Sequence, residues 1–412
     1  MQTGRSDMST TVLEEDFQGI AGDKTLFARE NLEKLERCTV VITGATGLVG
    51  SLLLRSLLYL NDTCALHLTA IPVIRNEEKL KTILGEIPAA VCPVMADVTE
   101  RDFVKEAGEK IRKILEHTGS QKPGEQAQED RKEEGSRAKE CSEEEEDRKS
   151  GRGNLYFFHC AAVTTSKTMV EKPVETIAAS CDGTRNLLET ARVLHADSFV
   201  YLSSMEVYGD MSVYGDGNTR ATEDRLGVLD LLNVRTDYPE SKRLCENLCC
   251  AYHAEYGVPV KIARLAQTFG AGILPWERRV FAQFANSAMQ GSDIVLHTKG
   301  LSEGNYCYTA DCVRGLLYLL LMGEDGTAYN VANESCHTTI GGMAEMVADT
   351  IAEGKIHVVY DIPKTNTFGY AADTHLFLDS TKLRSLGWAP KTDLPEMYRR
   401  MIRYLEETEE KA

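Results

Sequence analysis

Residues 39–50, read as T-V-V-I-T-G-A-T-G-L-V-G, constrain the fold more than any other stretch of the chain. Thr39, Val40, Val41 and Ile42 have high strand propensity and run into a turn carrying Gly44, Gly47 and Gly50, and the apolar, helix-period run Leu48 to Leu60 follows at once. A strand, a glycine turn and a helix in that order bring bare backbone N–H groups and a helix N-terminus to one point, where they can hold an anionic phosphate. Gly44 can take the tight turn, Gly47 lets backbone approach a pyrophosphate, and Gly50 lets helix and strand pack closely, with Thr46 and Leu48 beside them. A glycine turn that only closes a βα unit would carry the same three residues. Downstream residues decide between the two readings.

Strand and helix signals alternate from there on. His67 to Ile74 reads as a second strand, ending in Arg75-Asn76-Glu77-Glu78-Lys79, and Val91 to Met95 as a third, followed by Asp97 and Val98. A helix is expected over Arg101 to His117, a strand over Leu155 to His159, a helix over Glu175 to Leu194 and a strand over Ser198 to Leu202. This order predicts an α/β fold: a doubly wound parallel sheet of the Rossmann kind. In dinucleotide-binding units an acidic residue ending the second strand holds the ribose 2′-hydroxyl, whereas a basic one accommodates a 2′-phosphate. Arg75 precedes the glutamates, so NADP is favoured over NAD, unless Arg75 is simply a solvated surface charge.

The remaining segments bound the function classes. The 412 residues carry a formal charge of −17, which argues against non-specific binding to nucleic acid or to anionic membranes. No apolar run reaches the ~18–20 residues of a membrane-spanning helix, and the first residues lack the apolar core of a signal peptide, so a cytoplasmic location is expected. The cysteines are scattered without metal-ligand spacing; no metal site is expected and structural thiols are. Residues 1–36 are polar, with a helix expected over Lys24 to Glu36, and read as an appendage packed on the domain. Residues 118–153 are charged and almost devoid of aromatic side chains, as in a disordered acidic insertion.

The chemistry-bearing residues come next. Ser203-Ser204-Met205-Glu206-Val207-Tyr208-Gly209 follows the strand that reaches Leu202, and the carboxyl ends of parallel strands face the ligand crevice. Tyr238-Pro239-Glu240-Ser241-Lys242 opens a helix expected to reach Tyr256, and the four-residue spacing puts Tyr238 and Lys242 on one face. An ammonium beside a phenol favours the phenolate, as does an oxidised nicotinamide. Moving a tyrosine from ~10 to about 7 takes roughly 4 kcal/mol of differential interaction. Tyr238 would then be a general base, with Ser204 holding the reacting oxygen. A tyrosine and a lysine four apart also occur as ordinary surface pairs.

Together these motifs resemble, in order, the extended short-chain dehydrogenase/reductases of the NAD-dependent epimerase/dehydratase family. They are the G-x-x-G-x-x-G turn, Asp97, His159-Cys160-Ala161-Ala162, Asp182-Gly183-Thr184-x-Asn186-Leu187-Leu188-Glu189, Ser203-Ser204-x-x-Val207-Tyr208-Gly209 and Tyr238-x-x-Ser241-Lys242. The resemblance implies an NAD(P) cofactor, with its pyrophosphate at Gly44, Gly47 and Gly50, its adenine at Asp97 and Val98, and Ala161 alongside. It implies a catalytic set of Ser204, Tyr238 and Lys242, with Lys242 also on the nicotinamide ribose. It further implies a nucleotide-sugar substrate and a homodimer formed through the 175–194 and 238–256 helices. The domain division would be 37–264 for the cofactor and 265–402 for the substrate.

Two departures from the family pattern narrow the chemistry. Dehydratases of the dTDP-glucose type have Asp-Glu where this chain has Met205-Glu206, so the leaving-group acid is missing and Glu206 remains as a base. UDP-glucuronate decarboxylases keep the Glu after a Ser. Gln267 stands where an Asn touches the sugar diphosphate, and Gly304 where an arginine does, leaving Arg278, Arg279 and Lys299 to compensate. The readings that follow are an epimerase or dehydratase-type enzyme oxidising a sugar at C4, a nucleotide-uronate decarboxylase, or an NADPH-dependent carbonyl reductase whose substrate carries no nucleotide.

Overall fold

The computed structural model describes residues 10–119, 153–163, 166–215, 220–274, 277–363 and 373–409. The insertion read from sequence at 118–153 lies, apart from its ends, outside the described residues. In chain order the first strands are β1 Thr39–Thr43, β2 Thr69–Ile74, β3 Val94–Met95, β4 Leu155–His159, β5 Ser198–Ser204, β6 Arg220–Ala221 and β7 Val260–Leu265. They are followed by β8 Gln267–Phe269, β9 Ile294–Leu296, β10 Glu303–Tyr308, β11 Thr327–Val331, β12 Asn333–Thr339, β13 Val358–Tyr360 and β14 Phe377–Leu378.

Seven of these strands form one parallel sheet in the order β11-β7-β5-β4-β1-β2-β3. Its central strands β1 and β4 are buried along their whole length because helices cover both faces, which is why they read as unbroken apolar runs. The order reverses between β1 and β4, and the crevice at the carboxyl ends of a parallel sheet opens at such a switch point. Thr43 pairs with His159 there, placing the glycine turn beside the exit of β4.

Several expected boundaries move. The third strand shrinks to Val94–Met95, with an isolated bridge from Ala70 to Val91, because Pro93 between them has no N–H to donate. The helix expected over Lys24 to Glu36 spans only Arg29–Leu35, and a helix the sequence reading passed over, Val12–Ala21, precedes it. Thr11 caps that helix and Glu14 bonds back, a capping box written in the sequence as T-V-L-E. Its Val12, Leu13, Phe17 and Ile20 are buried in the same core cluster as Leu316, Tyr398 and Met401. Val12 N–H also donates to Glu407 of the last helix, Leu394–Glu409. The segment is thus packed on the domain through an apolar face.

Strands from both sides of residue 264 build the large sheet. After β8 the chain returns through the helix Thr309–Met322 to β11, which pairs in parallel with β7 and completes the large sheet. Residues beyond 265 therefore contribute both to that sheet and to the smaller layer, in which β10 lies between β8 and β12. The physical reason is the crossover rule: a parallel edge strand needs a helical connection, and this one is supplied from the second half of the chain.

Candidate active site

A cleft of about 720 Å³ runs along the carboxyl ends of the strands. It is lined at one end by Gly44, Thr46, Gly47, Leu48 and Gly50, at its outer edge by Arg75, Asp97 and Val98, and centrally by Ala161. Ser204, Glu206, Tyr238 and Lys242 line its inner end with Gln267 and Arg279. Residues from eight separate stretches of sequence thus meet in one cavity.

The glycine turn is shaped for an anion. Gly44 has φ of +66°, and a Cβ there would fall 2.7 Å from the amide nitrogen of Ala161. A Cβ on Gly50 would fall 2.3 Å from the Gly44 carbonyl oxygen. Gly47 is the N-cap of the helix Leu48–Cys64 and offers no side-chain cap, so the first N–H groups of that helix face the cleft without a side-chain acceptor. A dinucleotide pyrophosphate fits this cradle, because it brings the negative charge that the exposed donors and the helix dipole favour.

At the outer edge, Asp97 and Arg75 meet each other. Arg75 Nη1 lies 3.4 Å from Asp97 Oδ2, with the arginine side chain 79% exposed. Asp97 Oδ1 accepts from the Thr99 amide and hydroxyl. Burial works against the Asp97 carboxylate, but the Thr99 bonds and the Arg75 guanidinium together hold it below the usual carboxylate range. The arginine is therefore oriented by the aspartate that the sequence reading gave to the adenine.

The inner end is built by the last turn of β5 and the helix Asp237–Tyr256. Ser204 leaves the strand as the N-cap of the short 3₁₀ turn Met205–Tyr208, its hydroxyl accepting from the Glu206 amide and reaching the Tyr238 phenol. Lys242 is buried and donates a 2.7 Å hydrogen bond to the Leu202 carbonyl. Its ammonium lies 4.7 Å from the Tyr201 ring centroid and 5.8 Å from that of Tyr238. Burial, and then the Glu206 carboxylate, push the Tyr238 phenol above the ordinary tyrosine value, so the site as it stands holds a neutral phenol.

Glu206 is itself raised by burial, against the attraction of Arg235, whose guanidinium nitrogens lie 3.5 Å from Oε2. Sequence reasoning missed Arg235, although a cation three residues before the tyrosine could have been noticed. It also missed Glu175, Ala178 and Ala179 of the helix Pro173–Val193, which form part of the wall. Arg279 is held by Glu277 at 2.6 Å. A Cβ on Gly304 would sit 3.8 Å from the Met205 methyl, so a side chain at that position would meet Met205.

No group of three or more His, Cys, Asp or Glu side chains that could hold a metal lies among the described residues, and the described cysteines are unpaired. Among the described residues no helix is long and apolar enough to cross a membrane.

Comparison with known proteins agrees with this geometry. The model of the NAD dependent epimerase/dehydratase family matches residues 153–332. UDP-glucuronic acid decarboxylase 5 of Arabidopsis thaliana is 30% identical over 242 residues, covering 58% of this chain and 67% of that protein. UDP-glucuronic acid decarboxylase 1 of Danio rerio is 28% identical over 248 residues, covering 60% of this chain and 56% of that protein. This chain thus spans between about half and two thirds of the length of such relatives. Among solved structures, an epimerase from Methanothermobacter thermautotrophicus has a TM-score of 0.69 at 21% identity, covering 94% of this chain and 97% of its own. A UDP-glucuronic acid 4-epimerase from Bacillus cereus has a TM-score of 0.65 at 17% identity, covering 90% and 99%. By these matches the chain belongs to the NAD-dependent epimerase/dehydratase family of extended short-chain dehydrogenase/reductases.

Proposed function

We infer that the protein is an NAD(P)-dependent enzyme that modifies a nucleotide sugar through transient oxidation of a sugar hydroxyl, at C4. The observation that carries this reading is the meeting of Ser204, Tyr238, Lys242 and Glu206 in the cleft that begins at the glycine turn. Gly44, Gly47 and Gly50 would hold the pyrophosphate, with Thr46 and Leu48 beside it, Asp97 and Val98 at the adenine end, Ala161 alongside and Lys242 on the ribose. Bound there, the oxidised dinucleotide supplies the hydride acceptor. Ser204 Oγ holds the reacting oxygen while Tyr238 Oη takes its proton. Lys242 and a cationic ligand bring the phenol down from the raised value of the free site. The ketone so formed acidifies the neighbouring C–H or weakens the bond to a neighbouring carboxylate, and Glu206 stands where it can exchange a proton with that carbon.

Decarboxylation of a nucleotide-uronic acid is the reading within this class with specific support. Met205 lacks the proton that a dehydratase needs for its leaving hydroxyl, loss of CO₂ needs no such acid, and the named relatives at about 30% identity are UDP-glucuronic acid decarboxylases. Gln267 and Arg279 would face the diphosphate. Arg75 favours NADP over NAD. A homodimer through the helices Pro173–Val193 and Asp237–Tyr256, which carry exposed Val174, Ile177 and Leu244, and a cytoplasmic location complete the proposal. Mass spectrometry of cofactor retained by the purified protein, followed by a panel of UDP- and dTDP-sugars with CO₂ release monitored, tests it. Turnover of a nucleotide sugar supports the reading. Turnover of a simple carbonyl compound with NADPH, and of no nucleotide sugar, replaces it with the reductase.

A further inference from the structure

Behind the catalytic residues lies a buried ionic group that the reaction does not use directly. Glu246, one helical turn after Lys242, accepts from Ser203 Oγ at 2.5 Å. The same carboxylate is gripped by Arg264 at the end of β7, with Nε at 3.0 Å from Oε1 and Nη2 at 2.7 Å from Oε2. Arg264 also donates to the Tyr208 hydroxyl at 3.1 Å and to the Glu223 carbonyl at 3.0 Å. All three of Ser203, Glu246 and Arg264 are buried. One residue earlier on β5, Leu202 receives the Lys242 bond. The helix Asp237–Tyr256 therefore holds the end of β5 at two successive residues, one through the catalytic lysine and one through Glu246. Ser204, the next residue, leaves the strand from this doubly held end.

A buried ion pair is an uneconomical way to stabilise a fold, since apolar side chains of similar volume often do as well, whereas a fork of paired hydrogen bonds fixes orientation. We propose that Glu246 and Arg264 are positioning residues, acting through Ser203 to fix the end of β5 against the catalytic helix and so set Ser204 and Lys242 relative to Tyr238. This goes beyond the proposed reaction, although its turnover arm rests on that reading. The clamp is directional: Arg264 holds the carboxylate, the carboxylate holds the Ser203 hydroxyl, and the strand end follows. The groups around Lys242 are Glu246, Cys245, Cys249 and Tyr238 on its own helix, Cys181 on the neighbouring helix, and Tyr201, His159 and Cys160 from the sheet. Removing only the Ser203 hydroxyl leaves every one of these side chains in place, and among them Glu246 alone loses a hydrogen bond.

The test uses Ser203→Ala, Ser203→Thr and Glu246→Gln in the full chain. Acetic anhydride labelling at fixed pH, read by mass spectrometry with exposed Lys79 as internal standard, needs no substrate. Ser203→Ala is expected to raise Lys242 labelling by about threefold or more, the scale of losing one net hydrogen bond, and Ser203→Thr to restore it. On a nucleotide sugar that the wild type turns over, Ser203→Ala should lower kcat by roughly tenfold with cofactor affinity held within about twofold. Glu246→Gln should follow Ser203→Ala in both readouts. If Ser203→Ala lowers only the melting temperature, leaving Lys242 labelling and kcat at wild-type values, the group is structural and the proposal is overturned. If the wild type turns over no nucleotide sugar, the function reading fails, and the labelling still decides the positioning role.

Discussion

Lys242 Nζ is bonded to the carbonyl oxygen of Leu202 at 2.7 Å, so this lysine is held by the strand that delivers Ser204. The Tyr238 ring centroid lies 5.8 Å from the ammonium, within cation–π range but not in a direct phenol contact. A buried ammonium needs partners, and the carbonyl and the Tyr201 ring face supply them. Burial lowers the lysine below its usual value, while the thiol of Cys245 and the Glu246 carboxylate oppose that shift. The arrangement keeps a cation beside the phenol without ionising it in the absence of ligand.

Tyr238 should therefore titrate above the free-tyrosine value of about 10 in the protein without cofactor. Ultraviolet difference titration of wild type against Tyr238→Phe measures it. Because a negative Glu206 disfavours the phenolate, Glu206→Gln should move the Tyr238 midpoint downward. A Tyr238 midpoint near neutrality in the ligand-free protein would contradict this account.

The three glycines should separate by experiment. Gly50→Ala drives a methyl into the Gly44 carbonyl, 2.3 Å away, and should cost several kcal/mol (roughly 2–4) of stability by overpacking. In Gly47→Ala the nearest atom is 3.3 Å off, so the fold should persist while cofactor affinity falls. Thermal melting and cofactor titration on both variants check the pattern. Equal loss of stability in the two would contradict it.

The sheet was legible because parallel strands covered on both faces are continuous apolar runs, as β1 and β4 are, with glycine and polar residues at their carboxyl ends. The cleft residues were legible for the same reason, since Ser204 and Asp97 follow strand signals directly. What escaped depends on distance in sequence. Glu246 and Arg264 meet across 18 positions and two elements, and nothing local in either announces the partner. A helical spacing shows the lysine beside Tyr238 but neither the depth of the phenol's burial nor the approach of Glu206 from another loop. The helix Val12–Ala21 was within reach of sequence, through its capping box, but its burial follows from contacts with a helix nearly four hundred residues away.

The docking of that helix should show in the pH dependence of stability. Asp16 accepts from Tyr308 at 2.6 Å and Arg400 at 2.8 Å, yet burial raises its carboxyl to about 6. Between the unfolded value near 3.8 and about 6 the folded protein binds the extra proton, so this group favours folding increasingly as pH falls through 6. Above that range it carries a net cost on the order of 3 kcal/mol, burial outweighing the bonds from Tyr308 and Arg400. Asp16→Asn should remove that part of the slope in melting temperature between pH 4 and about 6. An unchanged slope would place the burden elsewhere.

Cofactor choice should depend on Arg75. Its ion pair with Asp97 is exposed and weak, so a 2′-phosphate can compete for the guanidinium at little cost. Arg75→Ala should weaken NADP(H) binding by about tenfold and leave NAD(H) binding within about twofold, as fluorescence titration of both cofactors would show. An unchanged NADP-to-NAD affinity ratio would exclude Arg75 from the choice.

The most direct test of the account is turnover by Tyr238→Phe, alongside Lys242→Met, on a nucleotide sugar that the wild type converts. Removing the phenolic hydroxyl should leave the fold and cofactor affinity in place and lower kcat by roughly 10²–10⁴-fold, the worth of a positioned acid or base. Lys242→Met should lose cofactor affinity as well as turnover. Near-normal kcat in Tyr238→Phe would contradict the account and leave the cleft a cofactor-binding site without its assigned base.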